Sequence, residues 1–230
     1  MIEILNKQNY FKYLKTNDLK FFNLIKSNKF FLKEKNSLIL LKSSVKRFIY
    51  FSAYQDILYS KNKLNILDIG GSINMLTPFL SKKHNYTLCD NMIIKNKKYL
   101  KKIPKLNFLN YDWNELNLSK KGIYDIIISN DLFPNVDQRL DRFIKKFRKK
   151  TKKFKIVLTA YSENLNKVYK ARRLDGDEIL SVRPLNKNDI ILILKKNKIT
   201  KINNLKKNFS SLFENKRSLY ILNLNYEKKY

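Results

Sequence analysis

A short apolar run that ends in two glycines decides the fold: Leu64-Asn65-Ile66-Leu67-Asp68-Ile69-Gly70-Gly71-Ser72. The apolar residues predict a buried β-strand over residues 64–69. Glycine has no Cβ atom, so it allows a tight turn and a close approach of the backbone to a ligand. The chain has only four glycines among 230 residues, and two of them stand here. We expect a functional site at this turn; an ordinary strand-to-helix turn is the alternative.

Short apolar runs alternate with helical patterns along the rest of the chain. Further strands are predicted at residues 86–90, 106–109, 124–129, 154–159, 199–205 and 219–224, and helices at 75–82, 137–149 and 188–196. This alternation is typical of an α/β fold with a doubly wound, mostly parallel sheet, here of seven strands, and helices on both faces. Such sheets bind ligands beyond the carboxyl ends of their strands, where the strand order reverses.

The first quarter of the chain has a different pattern. Apolar residues recur at helical spacings over residues 19–25 and 38–58. We expect residues 1–62 to form a helical N-terminal extension, and residues 63–230 to form the main domain. The aromatic residues within 45–54 are more typical of core packing than of a ligand site.

The formal net charge of +30 raises the question of a nucleic-acid partner. Only eight of the 49 basic residues are Arg, and the remaining Lys residues are spread along the whole chain. Proteins that read nucleic acids rely on Arg, because its planar guanidinium forms paired hydrogen bonds. A solvated Lys surface is therefore favoured, and nucleic-acid binding stays open as the alternative.

Other classes of protein are not favoured by the composition. No run of about 18 apolar residues predicts a membrane span. The N-terminus lacks the apolar run and cleavage site of a signal peptide, and the single cysteine, Cys89, allows no internal disulfide. No cluster of Cys and His residues predicts a metal site. We expect a cytoplasmic location.

An acidic residue ends the second predicted strand. Asp90 follows Asp68 by 22 residues. A carboxylate about 20 residues beyond a glycine-rich turn is placed to hold the two hydroxyls of a ribose. Dinucleotide-binding domains share this feature, but they need a third spaced glycine to admit the pyrophosphate, and this turn lacks it. A cofactor without phosphates is favoured.

In this order, the features resemble the class I S-adenosylmethionine-dependent methyltransferases. The resemblance covers about residues 50–225 and rests on residues 64–80, Asp90, Asn110-Tyr111-Asp112-Trp113 and residues 124–131. One departure is the turn, which reads Gly-Gly-Ser in place of the commoner Gly-x-Gly. The resemblance implies S-adenosylmethionine as cofactor, a Rossmann-like fold, and an antiparallel hairpin made of the last two strands.

The resemblance also implies which residues contact the cofactor. Asp68, Gly70, Gly71 and Ser72 would lie at the methionine end, Asp90 at the ribose, Asp112 and Trp113 at the adenine, and Asn130 near the sulfonium. Two of these have alternatives. Asp112 is alternatively an exposed loop acid, which is the less favoured interpretation, and Trp113 is nearly as well explained by core packing.

The segment after the fifth strand holds the candidate acceptor site. Arginines in an insertion at this place are suited to grip a phosphate or carboxylate, although a salt-bridged surface helix is an even alternative. The candidate acceptor-binding residues are Arg139, Tyr161, Arg172 and Arg173, and the candidate bases are Asp131, Tyr161 and Asp175. Near Arg139, residues 135–137 are alternatively a cap of the next helix.

These residues favour O-methylation of a small anionic acceptor, such as a sugar phosphate, a nucleotide-linked sugar or another phosphorylated metabolite. Two alternatives stay open. One is an RNA or protein methyltransferase that uses the basic surface. The other is a non-catalytic nucleotide-binding module that retains the fold.

Overall fold

The computed structural model describes residues 1–91, 97–118, 122–133, 137–161, 168–172, 179–182, 185–207, 209–214 and 217–225, with the backbone alone at 97–98, 131, 169–172, 179–180 and 182. Its strands are β1 (Ile2–Leu5), β2 (Asn65–Ile69), β3 (Asn85–Cys89), β4 (Asn107–Leu109), β5 (Tyr124–Phe133), β6 (Thr151–Ala160), β7 (Tyr169–Arg172), β8 (Ile179–Val182) and β9 (Ser218–Asn225). Its α-helices are α1 (Lys7–Thr16), α2 (Asp18–Lys26), α3 (Lys35–Lys42), α4 (Ser44–Leu58), α5 (Thr77–Lys83), α6 (Lys97–Leu100), α7 (Leu140–Phe147), α8 (Lys187–Lys196) and α9 (Asn203–Lys206).

Seven of the described strands form one mixed sheet in the order β1-β9-β6-β5-β2-β3-β4. Strands β4, β3, β2, β5 and β6 are parallel neighbours, whereas β9 runs antiparallel to both β6 and β1. From β2 the chain proceeds outward through β3 to β4, and then returns to β5 on the other side of β2. The strand order therefore reverses between β2 and β5, which is where doubly wound sheets bind ligands.

Helices cover both faces of this sheet, as predicted. The N-terminal helices and α5 pack on the face that carries Ile66 and Ile128, while α7, α8 and α9 pack on the face that carries Leu67 and Ile127. Consecutive residues of β2 and β5 are thus buried on opposite faces, as expected of parallel strands covered on both sides. No helix in the described ranges is long and apolar enough to span a bilayer.

The seventh strand of the sheet is not the predicted one. Residues 199–205, predicted as a strand, lead into the short helix α9, so that prediction is wrong. The edge strand is instead β1, which pairs with β9 from Ile2↔Leu222 to Leu5↔Leu219. Short apolar runs do not distinguish a strand from a helical turn. The predicted C-terminal hairpin is therefore replaced by pairing between the N-terminal strand and β9, and residues 1–62 contribute a strand as well as helices.

A buried ion pair ties the N-terminal helices to α4. Arg47 is 8% exposed, and its Nε and Nη2 donate to the two carboxylate oxygens of Asp18 at 2.7 and 2.8 Å. Its Nη1 donates to the carbonyls of Leu40 and Leu41 at 3.1 and 3.0 Å. Such two-pronged pairing fixes orientation as well as charge. Helices α1 to α4, which we call the N-terminal layer, are therefore tied together at α4, the helix that reaches the carboxyl edge of the sheet.

Candidate functional site

The turn after β2 packs directly against β5. Gly70 has φ of +69°, and its amide donates to the carbonyl of Cys89 at 2.9 Å. A Cβ atom on Gly70 would lie 3.0 Å from Cδ2 of Leu132 in β5. Both the positive φ and the close contact favour glycine. The turn therefore joins the carboxyl ends of β2, β3 and β5, as expected from the sequence.

The second glycine leaves room for the carboxylate of Asp68. A Cβ atom on Gly71 would lie 2.3 Å from Oδ1 of Asp68, a distance that no real side chain tolerates. Ser72, the next residue, is in the left-handed region with φ of 50°. The buried side chain of Asn74 fixes this turn, because its Nδ2 donates to the Gly71 carbonyl at 3.2 Å and its Oδ1 accepts from the Leu76 amide at 2.8 Å.

Asp68 is a buried carboxylate with only one oxygen satisfied. It is 1% exposed. Its Oδ2 accepts hydrogen bonds from the hydroxyls of Tyr54 in α4 and Tyr86 in β3, both at 2.7 Å. Its Oδ1 has no hydrogen-bond partner in the described part of the chain. Buried polar atoms in native proteins are nearly always paired, so an unmatched one calls for an explanation, such as a donor supplied by a ligand.

The electrostatic environment of Asp68 suits a cationic ligand. Burial raises the pKa of Asp68 to about 6, and the negative charge of Asp90 adds to this rise, whereas the hydroxyls of Tyr86 and Tyr54 oppose it. A cation at Oδ1 would favour the charged form of the carboxylate and reverse the effect of burial. Among the described residues no basic group offsets the charge of Asp68, so a bound ligand could supply that positive charge.

A second buried polar side chain without partners stands on the neighbouring strand. Asn130 is 3% exposed, and neither its Oδ1 nor its Nδ2 has a hydrogen-bond partner in the described ranges. It lies in β5 where the register with β6 shifts between Ser129 and Phe133. Such bulges are common next to active sites, because they redirect side chains. Unmatched polar groups thus stand at the ends of both strands that flank the reversal of strand order.

Asp90 lies at the same edge. It follows β3 directly, and its amide donates to the carbonyl of Leu109 in the next strand at 3.1 Å. Its side chain is half-buried and close enough to Asp68 to influence the pKa of that residue. The acid predicted to hold the ribose is therefore adjacent to the glycine turn.

Trp113 lies in the core and presents no open ring face. It is 4% exposed, and its ring packs edge-on against Phe143 with the centroids 5.2 Å apart. The guanidinium of Arg139 covers the ring at 4.7 Å, and Nε1 donates to Oδ2 of Asp137 at 2.7 Å. Of the two interpretations that the sequence left open for Trp113, core packing fits this arrangement, and adenine stacking does not.

Arg139 links two carboxylates instead of standing open to an acceptor. It forms ion pairs with Oδ2 of Asp112 at 2.8 Å and with Oδ2 of Asp137 at 2.7 Å. Burial alone would raise the pKa of Asp112, but the Arg139 guanidinium and the Asn114 amide hold it below its ordinary value. The charge of Arg139 is thus compensated twice. Asp112 retains 28% exposure of its side chain and remains open to a further donor.

The remaining predicted residues are placed only in part. Tyr161 directly follows β6, is buried, and donates its amide to the carbonyl of Leu185 at 2.9 Å. Asp131 is in β5 and Arg172 is in β7, but their side chains lie outside the described atoms. Arg173 and Asp175 lie outside the described residues. The hairpin of β7 and β8 is an insertion between β6 and α8, at the place predicted for acceptor-binding residues.

Sequence analysis missed three residues of this region. Tyr54 was interpreted as a core residue, Tyr86 was placed in the second strand without a role, and Asp137 belonged to a stretch for which a helix cap was the alternative. A signal was present for the tyrosines, since a buried tyrosine hydroxyl usually finds a polar partner. Only the fold shows that two of these hydroxyls meet at one oxygen of Asp68.

A further polar cavity lies away from this edge. It has a volume of about 340 Å³ and opens between α4 and strands β1, β6 and β9. Within it Asp56 accepts a hydrogen bond from Lys155 at 2.8 Å and another from Lys153. Because these charges compensate one another away from the reversal of strand order, we place the candidate site at the carboxyl ends of β2, β3 and β5.

Solved structures with the same fold include several methyltransferases. An S-adenosylmethionine-dependent methyltransferase from Clostridium acetobutylicum superposes with a TM-score of 0.53 and 18% identity over 86% of this chain and 99% of that one. A complex of DhpI with SAM and HEP gives a TM-score of 0.53 and 12% identity over 86% of this chain and 94% of that one. The N-terminal domain of EvdMO1, crystallised in the presence of SAH and D-fucose, gives a TM-score of 0.51 and 11% identity over 77% of this chain and 80% of that one.

At these identities the likeness establishes the fold alone. The chain has the Rossmann-like fold of the class I S-adenosylmethionine-dependent methyltransferases, as the sequence predicts. Comparison with sequence profiles of protein families gives no match, and comparison with the sequences of curated proteins gives none either. The chemistry of the site must therefore carry the argument about activity.

Proposed function

We propose that this chain is an S-adenosylmethionine-dependent methyltransferase that methylates a hydroxyl group of a small anionic acceptor. One observation carries the proposal. Asp68 and Asn130 are buried on the two strands where the strand order reverses, beside a glycine turn, and have polar atoms without partners among the described residues. A ligand with a cationic group and further polar groups would satisfy them, and the methionine end of S-adenosylmethionine is such a ligand.

The residues at this edge fit the rest of the cofactor. Gly70 and Gly71 allow the backbone to approach it closely. The carboxylate of Asp90 is suited to accept hydrogen bonds from both ribose hydroxyls. The exposed part of Asp112 is suited to accept a hydrogen bond from the adenine amino group. Trp113 supports the Asp112 loop from the core, through Asp137 and Arg139.

The bound cofactor supplies an electrophilic methyl group, so the protein must chiefly align the acceptor. Alignment alone contributes several orders of magnitude in rate. The Asn130 amide, with an unused donor and an unused acceptor, is suited to orient a hydroxyl group near the sulfonium. Asp131, Tyr161 and Asp175 remain the candidates for the base, which would add about 10²–10⁴-fold.

The anionic nature of the acceptor is inferred from the arginines near the β7–β8 hairpin. Because this insertion follows β6, it leaves the sheet at the edge where ligands bind. The neighbours DhpI and EvdMO1 were crystallised with small molecules besides the cofactor. These facts support a small acceptor gripped by Arg172 or Arg173, with the other arginine paired to a nearby acid.

Titration calorimetry with S-adenosylhomocysteine tests the cofactor. The purified chain should show one saturable site, and Asp90→Ala should weaken it by about 1.5–3 kcal/mol, since contacts to a charged carboxylate are lost. Absence of binding by the folded protein would refute the methyltransferase proposal. Saturable binding of NAD instead would favour a dinucleotide enzyme.

The acceptor class has a separate test. Once an acceptor is identified, Arg172→Ala or Arg173→Ala should raise its Michaelis constant and leave the affinity for S-adenosylhomocysteine intact. No change in either variant would remove the case for an anionic acceptor.

Any RNA binding should be weak and steeply salt-dependent, whereas tight and sequence-selective binding at physiological salt would favour an RNA methyltransferase.

A further inference from the structure

We propose that Tyr54 and Tyr86 are positioning residues that hold one oxygen of Asp68, so that the other oxygen is presented to the ammonium group of the cofactor. The inference rests on the proposed function, because it requires a cationic ligand at Asp68. It assigns a role in cofactor binding to α4, a helix of the N-terminal layer, and to the second residue of β3.

The distribution of hydrogen bonds supports this role. A carboxylate has two oxygens with about four acceptor positions. Both tyrosine hydroxyls donate to the same oxygen, Oδ2, at 2.7 Å, and they approach from different elements, α4 and β3. A carboxylate that served only to join these two elements could accept one hydroxyl on each oxygen. Here Oδ1 has no partner among the residues that the structure describes, although Asp68 is only 1% exposed.

The direction of Oδ1 agrees with this interpretation. Oδ1 lies under the glycine turn, only 2.3 Å from the position of a Cβ atom on Gly71. The same turn packs against Leu132, which places it beside the β5 bulge that carries Asn130. The unmatched oxygen therefore faces the part of the site assigned to the methionine end, and the matched oxygen faces the N-terminal layer.

Of the ionisable groups at this site, Asp68 itself is the one whose charge we expect to change with pH. From α4 it faces Tyr54, which stacks on Tyr50 at 5.9 Å, and from β3 it faces Tyr86. Beyond β3 stands Asp90, and the β5 residue in register with Asp68, Ile128, is not ionisable. Burial, followed by the charge of Asp68, raises the pKa of Tyr54 and Tyr86 well above the ordinary value, so both remain donors.

Cofactor affinity should consequently depend on pH in a predictable direction. The pKa of Asp68 lies at about 6 without a ligand, and an ammonium group binds the ionised form. Affinity should therefore fall about tenfold between pH 7 and pH 5. Removing a tyrosine hydroxyl removes a hydrogen bond to the ionised form, so the midpoint should move upward by about 0.5–1 pH unit.

The experiment is calorimetric titration of S-adenosylhomocysteine between pH 5 and pH 7.5. It compares the unmodified chain with Tyr54→Phe and Tyr86→Phe, and uses Tyr220→Phe as the control, because Tyr220 is fully buried in the core on the opposite face of the sheet. We expect both test variants to bind more weakly at pH 6, to recover as the pH rises, and to show the higher midpoint. The control should follow the unmodified chain.

Each outcome decides between distinct conclusions. If the unmodified chain does not bind, the proposed function fails and this inference fails with it. If the chain binds but both variants lose affinity equally at every pH, or lose none, the tyrosines only pack and the proposal is overturned. Thermal unfolding followed by circular dichroism checks folding. Should neither variant fold, a profile with its midpoint near pH 6 that becomes flat in Asp68→Asn supports the proposal, and a flat profile in the unmodified chain refutes it.

Discussion

Asp68 and Asp137 are both buried carboxylates near the carboxyl edge of the sheet, at 1% and 9% exposure, but their surroundings differ. Asp137 accepts hydrogen bonds on both oxygens, from the Trp113 indole and from the amide and guanidinium of Arg139. Within the described part of the chain, Asp68 accepts two hydrogen bonds on one oxygen and none on the other. The fold thus supplies hydrogen-bond donors to both oxygens of Asp137, whereas the described residues supply them to only one oxygen of Asp68.

The difference supports the proposal that the cofactor binds at Asp68. Removing a carboxylate from water is costly unless a cation or several donors replace the water. Arg139 provides both to Asp137, so Trp113, Asp137 and Arg139, which we call the Trp113 cluster, form a structural unit that supports the loop of Asp112. The Asp68 cluster, consisting of Asp68, Tyr54, Tyr86 and Asn130, contains no basic residue. Residues that the sequence grouped together as cofactor contacts thus divide into a supporting set and, under the proposed function, a binding set.

The largest expected effect separates the two clusters through Trp113→Ala. Loss of a buried Trp side chain should lower the free energy of unfolding by about 3–5 kcal/mol, because a cavity forms among the aromatic rings of α7. Urea unfolding followed by circular dichroism measures this. Affinity for S-adenosylhomocysteine, measured where the variant is still folded, should change less than threefold. Normal stability with lost affinity would instead show that the indole contacts the cofactor.

The second prediction concerns Asp68→Asn, which should affect binding and stability in opposite directions. Loss of the charge should weaken S-adenosylhomocysteine binding by about 1.5–3 kcal/mol, the range for a charged hydrogen bond. Calorimetry at pH 7 measures the change. The matched substitution Asp137→Asn removes a carboxylate of the supporting set and should leave affinity unchanged. Equal losses of affinity in both variants would contradict the distinction between the clusters.

The stability of Asp68→Asn follows from the pKa of the carboxylate. The folded chain holds the Asp68 proton more tightly than the unfolded chain, with a pKa of about 6 against 3.8. The contribution of Asp68 to the free energy of unfolding is therefore most favourable at low pH, where the carboxyl is protonated in both states. It becomes less favourable as the pH rises from about 4 through 6. At pH 7 the ionised residue costs about 2–3 kcal/mol. Asp68→Asn should thus raise the free energy of unfolding at pH 7 and have little effect at pH 4; reduced stability at pH 7 would contradict the prediction.

A third prediction compares Gly71, where a Cβ atom would meet a neighbouring side chain, with Gly122, where it would not. Gly71→Ala places a Cβ atom 2.3 Å from Oδ1 of Asp68, so the carboxylate or the turn must move. We expect a loss of stability of about 1–3 kcal/mol, together with weaker cofactor binding. Gly122→Ala is the control, because no atom of the described residues lies within 4 Å of its Cβ position. Unchanged affinity in Gly71→Ala would show that Oδ1 takes no part in binding.

Much of the parallel part of the fold could be predicted from sequence, for physical reasons. Strands β2, β3, β5 and β6 are buried on both faces, so each appears as an apolar run between polar segments. The glycine pair is equally visible, since the turn needs a positive φ at Gly70 and space at Gly71. The edge strand β1 was missed because it has only four residues and takes its partner from the far end of the sequence.

The division of the site into two clusters could not be predicted. Asp68 lies near the end of one strand and Asp112 shortly after another, so the two acids look alike in sequence. Whether a carboxylate is already paired depends on contacts between distant residues, such as Arg139 with Asp112 and Tyr54 with Asp68. Periodicity places residues on strands and helices, but it does not reveal which hydrogen-bonding groups meet. The acceptor-binding role of Arg139 was inferred from its position, without the two carboxylates that neutralise it.

The smallest effect is expected for Arg139→Ala, and it tests the supporting cluster at its most exposed member. The Arg139 side chain is 41% exposed, so its ion pairs with Asp112 and Asp137 are screened by solvent and should contribute only about 1 kcal/mol. The contribution should shrink in 1 M salt. It should also shrink at low pH, because the pKa of Asp112 is held below 3.8 in the folded chain, and stability present above that value is lost as Asp112 is protonated.

Arg142→Ala is the matched control for this last variant, since Arg142 is an exposed arginine three residues further along. The difference in urea unfolding between the two variants at pH 6 measures the ion pairs. If Arg139 instead grips the acceptor, as its position in the sequence suggested, Arg139→Ala would raise the Michaelis constant of the acceptor and leave stability unchanged. A guanidinium already shared between two carboxylates has little charge left to offer an anion, so we expect the Michaelis constant to stay within twofold and the stability to fall.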